Sequence, residues 1–504
     1  MFDKNIISSK IAELRRSIPL TQAELADRLG ISHQAVSQWE RGETLPDITL
    51  LPELASLLGV DVNTLFGITA SSGSTAAPDS EQTDSSDDAP SESQPEMLDP
   101  PADIECDGDF SFSGNIGSAN VGGALSVEGS VFGDIEAGAE VNVSVCVEGS
   151  INAAGSVTVG KNVSGDIEAG DGVSVEGRVD GNIDAGGEVS IGGRVEGNID
   201  AGDDVSVGKD VSGNINTGGE VSVGGSVEGD IDAGDDVVVS GDVCGDINAG
   251  GEVSVRGSVE GDIDAGDDVV VSGDVSGDIN AGGEVSVRGS VEGDIDAGDD
   301  VVVSGYVSGD IDAGGEVSVS GRVKGDINAG DDVVITEDVC GDIEAGGDVS
   351  VRGSVEGDIR ADGAVSVSGS VSGGVEADDD ISVNGSVSGC VEADGDIAIN
   401  GRVGGDIRAG GDLAVNGSVE GCVEADGNVS VNGDIAGNIV CAGNCQIGQK
   451  DNLQNCRVSG DIECEGDCEL YADVDGDVSV GGDLILRGNV GGKLNVEGKF
   501  ERIG

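Results

Sequence analysis

Every sixteen residues the middle of the chain repeats one phrase. It reads GDIDAGDDVVVSGDVC at 229 to 244, GDINAGGEVSVRGSVE at 245 to 260 and GDIDAGDDVVVSGDVS at 261 to 276. The Gly-Asp-Ile opening falls at Gly229, Gly245, Gly261, Gly277, Gly293, Gly309, Gly325, Gly341 and Gly357. A fixed period this short is one turn of a solenoid, because the fold must return to the same place each time. Numbering the repeat from its first glycine, the apolar slots are Ile231 in slot 3, Ala233 in slot 5, Val237 in slot 9, Val239 in slot 11 and Val243 in slot 15. A step of two is a strand with one face buried, and a step of four carries the chain round a corner to the same face. Gly234, Gly241 and Gly245 fall in those corners, where positive φ or close backbone approach costs glycine least. The pattern predicts a roughly three-sided coil stacked into parallel sheets around a Val/Ile/Ala interior, a parallel β-helix. Ninety glycines with abundant Val and Ser exclude helix over any long window of this region.

The chain has 504 residues, with 99 acidic and 24 basic side chains, for a net charge of −75. That balance disfavours nucleic acid as a partner of the chain as a whole and favours cations or basic partners. No stretch of about eighteen apolar residues exists to span a membrane. The opening MFDKNIISSK lacks the apolar core of a signal peptide, so a cytoplasmic location with mostly reduced cysteines is expected.

Residues 1–69 differ from everything that follows. They hold the only His and the only Trp and show no repeat. Ile7, Ile11, Leu14 and Ile18 have helical spacing, and Pro19 ends that helix. Thr21-Gln22-Ala23-Glu24 is a capping box that opens a second helix, which turns Leu25, Ala26 and Leu29 inward and stops at Gly30. Ser32 caps a third helix, from 33 to about 41. Further helical pieces are expected near 48–58 and 61–66.

Two helices joined by Gly30-Ile31-Ser32 have helix-turn-helix spacing. The run TQAELADRLGISHQAVSQWERGETLPD resembles the lambda-repressor-like, Cro-type helix-turn-helix family (XRE family), over about residues 7–67. The resemblance implies a small all-α head that binds double-stranded DNA, with residues 33–41 in the major groove. By matched position, His33, Gln34, Ser37 and Gln38 would face base edges, and Gln22, Ser32 and Arg41 would face phosphates. Trp39 reads as core. The segment carries six bases and nine acids, so phosphate neutralisation contributes modestly.

Residues 70–101 read as an acidic disordered linker without a basic residue, as in DSEQTDSSDDAPSESQPE. The solenoid occupies 102–504. Its first coil is one residue short before Val121, the register then holds from Gly117 to Gly437, and a slip of seven residues falls within 448–457. Gly460, Gly476 and Gly492 resume the count, giving about 25 coils and a rod of about 120 Å. A second rhythm of thirty-two residues alternates AGDD and AGGE coils and suggests duplication of a two-coil unit. The serial phrases such as Gly241-Asp-Val-Cys-Gly-Asp-Ile-Asn-Ala249 resemble the bactofilins, polymer-forming cytoskeletal proteins of bacteria. That resemblance implies a right-handed three-sided β-helix that stacks end to end without nucleotide. The chain departs from it in coil number and acidity.

Four further features stand out. The end coils carry Phe110, Phe112 and Phe500, which fits self-association through exposed solenoid ends. Slot 2 is a column of nine aspartates from Asp230 to Asp358, read either as solvated turn residues bonding their own backbone or as sites for divalent cations. Cys441 and Cys464 share slot 5, and Cys445 and Cys468 share slot 9, so each pair should stack inside. Their C-x3-C spacing, near Cys456, favours small buried hydrophobes over a metal site. Cys390 and Cys422 point outward two coils apart, too distant to bridge. No nucleophile–base constellation, phosphate loop or cofactor motif appears, so no enzyme is expected. The sequence thus predicts a DNA-binding protein on a polymer-forming scaffold, or a transcription regulator whose monomeric rod is a sensor or partner-binding surface.

Overall fold

A computed structural model describes residues 101–450 and 456–503, together with Arg15, Leu25, Val36, Trp39, Pro46 and Leu54. The chain divides into two units, Met1–Glu96 and Met97–Gly504. In the first, Arg15, Leu25, Val36, Trp39 and Leu54 are helical, and the last four of these are buried. Trp39 is therefore a core residue, as expected from the sequence. The remaining helical expectations, and the linker expected over 70–101 except for Pro101, lie outside the described residues.

The second unit is a parallel β-solenoid of about 25 coils. Slots 3–5 form one ladder of 25 three-residue strands, from Ile104–Cys106 to Leu494–Val496. Slots 9–11 form a second ladder of 25, from Phe110–Phe112 to Phe500–Arg502. The third side is narrower. It consists of single bridges such as Val227↔Val243 and Val243↔Val259. Along most strands the outer two residues are buried and the middle one is exposed, as in Ile231–Ala233 and Val237–Val239. Like residues stack on like: Ile231 pairs with Ile247 and Ala233 with Ala249. β-Branched side chains suit this arrangement because their restricted χ1 leaves little rotamer freedom to lose on the pleated face.

Both expected irregularities are present. Ile104 pairs with Ala119, fifteen residues on, whereas Ala119 pairs with Ile135, sixteen on. Ile439 pairs with Ile462 and Cys445 with Cys468, twenty-three residues apart, so seven extra residues enter between these coils. There the third side widens into true strands, Cys456–Val458 against Ala472–Val474. Gly448 turns into the insertion with φ of 74°.

The corner glycines serve close approach rather than positive φ. Positive φ occurs at Gly114, Gly448 and Gly488, not at Gly234, Gly241 or Gly245. A Cβ on Gly250 would overlap the carbonyl oxygen of Gly234 in the coil before and lie 2.9 Å from its carbonyl carbon. Gly108, in the first coil, has nothing within 4 Å of the same construction. Gly250→Ala is therefore expected to lower the unfolding midpoint in urea and Gly108→Ala to leave it unchanged; equal midpoints for the two variants would contradict this account of the corners.

Candidate functional site

The Gly-Asp doublets that punctuate the repeat are a structural device that links coils. The slot-2 carbonyl joins the coil-to-coil backbone bonds, as Ile231 N–H donates to Asp246 O at 2.8 Å, but the slot-2 N–H finds no carbonyl there. The slot-2 carboxylate of the preceding coil fills the gap. Asp246 N–H donates to Asp230 Oδ1 at 3.1 Å, Asp262 N–H to Asp246 Oδ1 at 3.0 Å and Asp278 N–H to Asp262 Oδ1 at 2.9 Å. The series continues through Asp358 N–H on Asp342 Oδ1 at 2.7 Å. Asn198 and Asn214 do the same through their amide oxygens. The following glycine makes room: a Cβ on Gly245 would sit 2.5 Å from the Gly229 carbonyl carbon and overlap Asp230 Oδ1.

The bonds run to the next coil's backbone, not to the residue's own as the turn reading held. Each charge-assisted bond contributes roughly 1.5 kcal/mol at the lower end of the usual range. Repulsion between neighbours about 4.8 Å apart in water costs somewhat under ~1 kcal/mol, so the column is tolerated. With Oδ1 committed in this way, the expectation of divalent cations finds no support. Among the described residues no group of three or more His, Cys, Asp or Glu is placed to hold a metal ion.

The same device occurs at the other two corners. Ser258 N–H donates to Asp242 Oδ1 at 2.8 Å, and Asp274 N–H to Ser258 Oγ at 3.2 Å. At slot 8, the backbone N–H groups of Glu252, Glu284 and Glu316 donate to Oδ1 of Asp236, Asp268 and Asp300 at 2.9, 2.8 and 2.8 Å. The AGDD coil supplies the acceptor, and the AGGE coil supplies the donor plus a glycine, Gly251, over which the Asp236 carboxylate folds. The thirty-two-residue rhythm thus has a physical content beyond duplication.

The end coils expose what other coils bury. Phe112 is 41% exposed at one end, where its ring stacks on half-buried Phe110 with centroids 6.3 Å apart. At the other end Phe500 is 48% exposed and Leu494 40% exposed, although both continue interior columns above Leu484 and Val478. Leu494 was missed in the sequence because attention to the ends rested on aromatics; its slot-3 position carried the signal. The corner chemistry also differs between ends. Asp103 and Asp109, in slots 2 and 8 of the first coil, accept from Ser118 N–H at 2.8 Å and Ala124 N–H at 2.9 Å. In the last coil those slots hold Lys493 and Lys499, which donate their N–H to Asp477 and Asp483 at 2.6 and 2.8 Å. Lysine has no side-chain acceptor, so the corner ladders stop there.

In the head, Val36 and Trp39 are buried three residues apart. Gln22, Ser32, His33, Gln34, Ser37, Gln38 and Arg41 lie outside the described residues. Among the described residues no helix is long and apolar enough to cross a membrane.

Comparison with known proteins divides along the same line. A helix-turn-helix family model matches residues 11–65, and the polymer-forming cytoskeletal family model, bactofilin, matches 204–281 and 272–339. An uncharacterised HTH-type transcriptional regulator of Sinorhizobium fredii is 44% identical over 57 residues, which is 11% of this chain and 74% of that protein. The cryptic phage CTXphi transcriptional repressor RstR of Vibrio cholerae is 36% identical over 61 residues, 12% of this chain and 54% of the repressor. No solved structure matches. The chain belongs to the helix-turn-helix transcriptional regulators by its N-terminal segment. That segment is joined to a bactofilin-like β-solenoid, and neither matched family is enzymatic.

If the carboxylate column is held by backbone bonds, Asn should serve as well as Asp. Replacing Asp262, Asp278, Asp294 and Asp310 together by Asn is expected to raise the melting temperature at low salt, with the gain shrinking as salt screens the repulsion. The same four positions as Ala are expected to lower it at every salt concentration. Thermal melts followed by circular dichroism decide; a destabilised Asn variant would reject the ladder.

Proposed function

We propose that this protein is a cytoplasmic DNA-binding regulator whose β-solenoid assembles copies end to end, so that many heads act together on double-stranded DNA. The observation that carries the assembly is the match between the two end coils. Stacked head to tail in continuing register, Leu494 would meet Ile104, and Phe500 would meet Phe110. Lys493 and Lys499 would stand over Asp103 and Asp109, in the same two slots. Apolar surface left open at each end is thereby covered, and opposite charges pair at two corners.

The head supports sequence-specific binding. On an ideal helix of 3.6 residues per turn, positions 34, 37, 38 and 41 would fall opposite buried Val36 and Trp39, with 33 at the margin. An all-α head over 1–69, tethered by the linker of 70–101, presents Gln34 and Gln38 for bidentate contacts with adenine, while Gln22, Ser32 and Arg41 position the backbone. With few bases in each head, linked heads gain by avidity what single ones lack. The second reading, a regulator with a monomeric rod as sensor or partner surface, is favoured by one observation: Lys493 and Lys499 end the corner ladders.

Two expectations follow. In fluorescence anisotropy with a selected duplex, Gln34→Ala and Gln38→Ala each weaken specific binding by roughly tenfold or more and relax the base preference; unaltered affinity would remove the groove assignment. In negative-stain microscopy the full chain forms filaments many times longer than about 120 Å. Lys493→Glu with Lys499→Glu leaves isolated rods. Isolated rods of the unaltered protein would select the monomeric regulator.

A further inference from the structure

One cluster of chemically reactive side chains lies outside both candidate sites. Strand Ile439–Cys441 pairs with Ile462–Cys464, which sets Cys441 directly beside Cys464. Strand Cys445–Ile447 pairs with Cys468–Leu470, which sets Cys445 beside Cys468. All four are free thiols and at most 2% exposed. They occupy slots 5 and 9, on either side of one interior corner, in two consecutive coils. The coil below carries Ala425 and Val429 in the same slots. The thiols flank the coil boundary at which the register jumps by twenty-three residues instead of sixteen.

We propose that Cys441–Cys464 and Cys445–Cys468 are oxidative modification sites, at which a peroxide converts the two stacked thiol pairs into cross-coil disulfides that staple the solenoid across its insertion. In-register neighbours on parallel strands lie about 4.8 Å apart, inside the Cα window of roughly 4.4–6.8 Å that a disulfide requires. The surroundings favour a neutral product. Cys464 Sγ lies 3.3 Å from Gly443 O and 3.5 Å from Gly466 O, and Cys441 Sγ lies 3.7 Å from Gly443 O. Carbonyl oxygens accept from thiols and stabilise no anion. Four thiolates around a divalent metal would leave net negative charge in this lining, within a strongly acidic chain, whereas a disulfide leaves none.

The step balances in each pair. One thiol gives up its proton and its sulfur attacks one peroxide oxygen; the O–O bond breaks, giving a sulfenic acid and hydroxide, which takes up that proton to become water. The partner sulfur then displaces the sulfenic oxygen, which leaves with the partner's proton as a second water. Two thiols lose two electrons, and hydrogen peroxide is reduced to two waters.

The test uses the full-length protein, treated with hydrogen peroxide, denatured in iodoacetamide, digested and read by mass spectrometry. Exposed Cys244, Cys390 and Cys422 serve as controls for reagent access. Two variants keep one pair each and use the repeat's own residues: Cys445→Val with Cys468→Val, and Cys441→Ala with Cys464→Ala. Each is expected to form its remaining disulfide and to melt at a higher temperature oxidised than reduced. A third, Cys441→Ala with Cys468→Val, leaves only a diagonal pair and is expected to form none. Four alkylated thiols in the oxidised protein, disulfides in the diagonal variant, or stoichiometric thiol-bound zinc in the purified protein would each overturn the proposal.

Discussion

Everything in the solenoid depends on the backbone bonds between one coil and the next. Ile231 N–H donates forward to Asp246 O, and Gly250 N–H donates back to Ala233 O, both close to 3 Å. A coil cannot form these bonds alone, so its stability resides in its interfaces. The coil must therefore return to the same height after the same number of residues, and side chains can only be chosen within that constraint. The interior accepts Ile, Val and Ala in fixed columns because each column has one width. The corners accept glycine because neighbouring backbones run too close for a Cβ.

What those interfaces leave unfinished, the carboxylates complete. A chain of net charge −75 would be expected to resist compaction. Here much of that charge lies at corners where an N–H lacks a carbonyl, so acid side chains close the backbone's hydrogen bonding. Outward positions reduce the strain further. Asn248 Nδ2 donates to Asp232 Oδ1 at 3.2 Å, and Arg360 pairs with Glu376 at 2.6 Å, each one coil apart. Such exposed pairs contribute little individually, yet they interrupt the runs of like charge.

The coil number, the slot assignments, the short first coil and the seven-residue slip were all legible in the sequence, because a period fixes which residues share a column. The role of the Gly-Asp doublets was not. Local reasoning attaches a turn aspartate to its own backbone, whereas Asp230 bonds a residue sixteen positions away. Lys493 and Lys499 were passed over for the same reason: a lysine among many polar corners looks ordinary until its slot is known to supply acceptors. In the head, Leu25 and Trp39 lie inside, as expected from the sequence. The base-reading residues followed from family resemblance rather than from any physical signal of their own.

Because each coil closes only on its neighbours, length is a free variable of this molecule. Within 229–292, where the two-coil unit repeats with a single difference, Cys244 against Ser276, removing or adding one block leaves the surviving interfaces chemically almost unchanged. The alternation of AGDD and AGGE coils makes the natural block two coils rather than one, about 10 Å of rise. Exposed Val238, Val270, Val302 and Val334 keep the same spacing on the outer face. The solenoid can therefore act as a graduated ruler, its reach set by the number of double coils, with the same markings restored at every graduation.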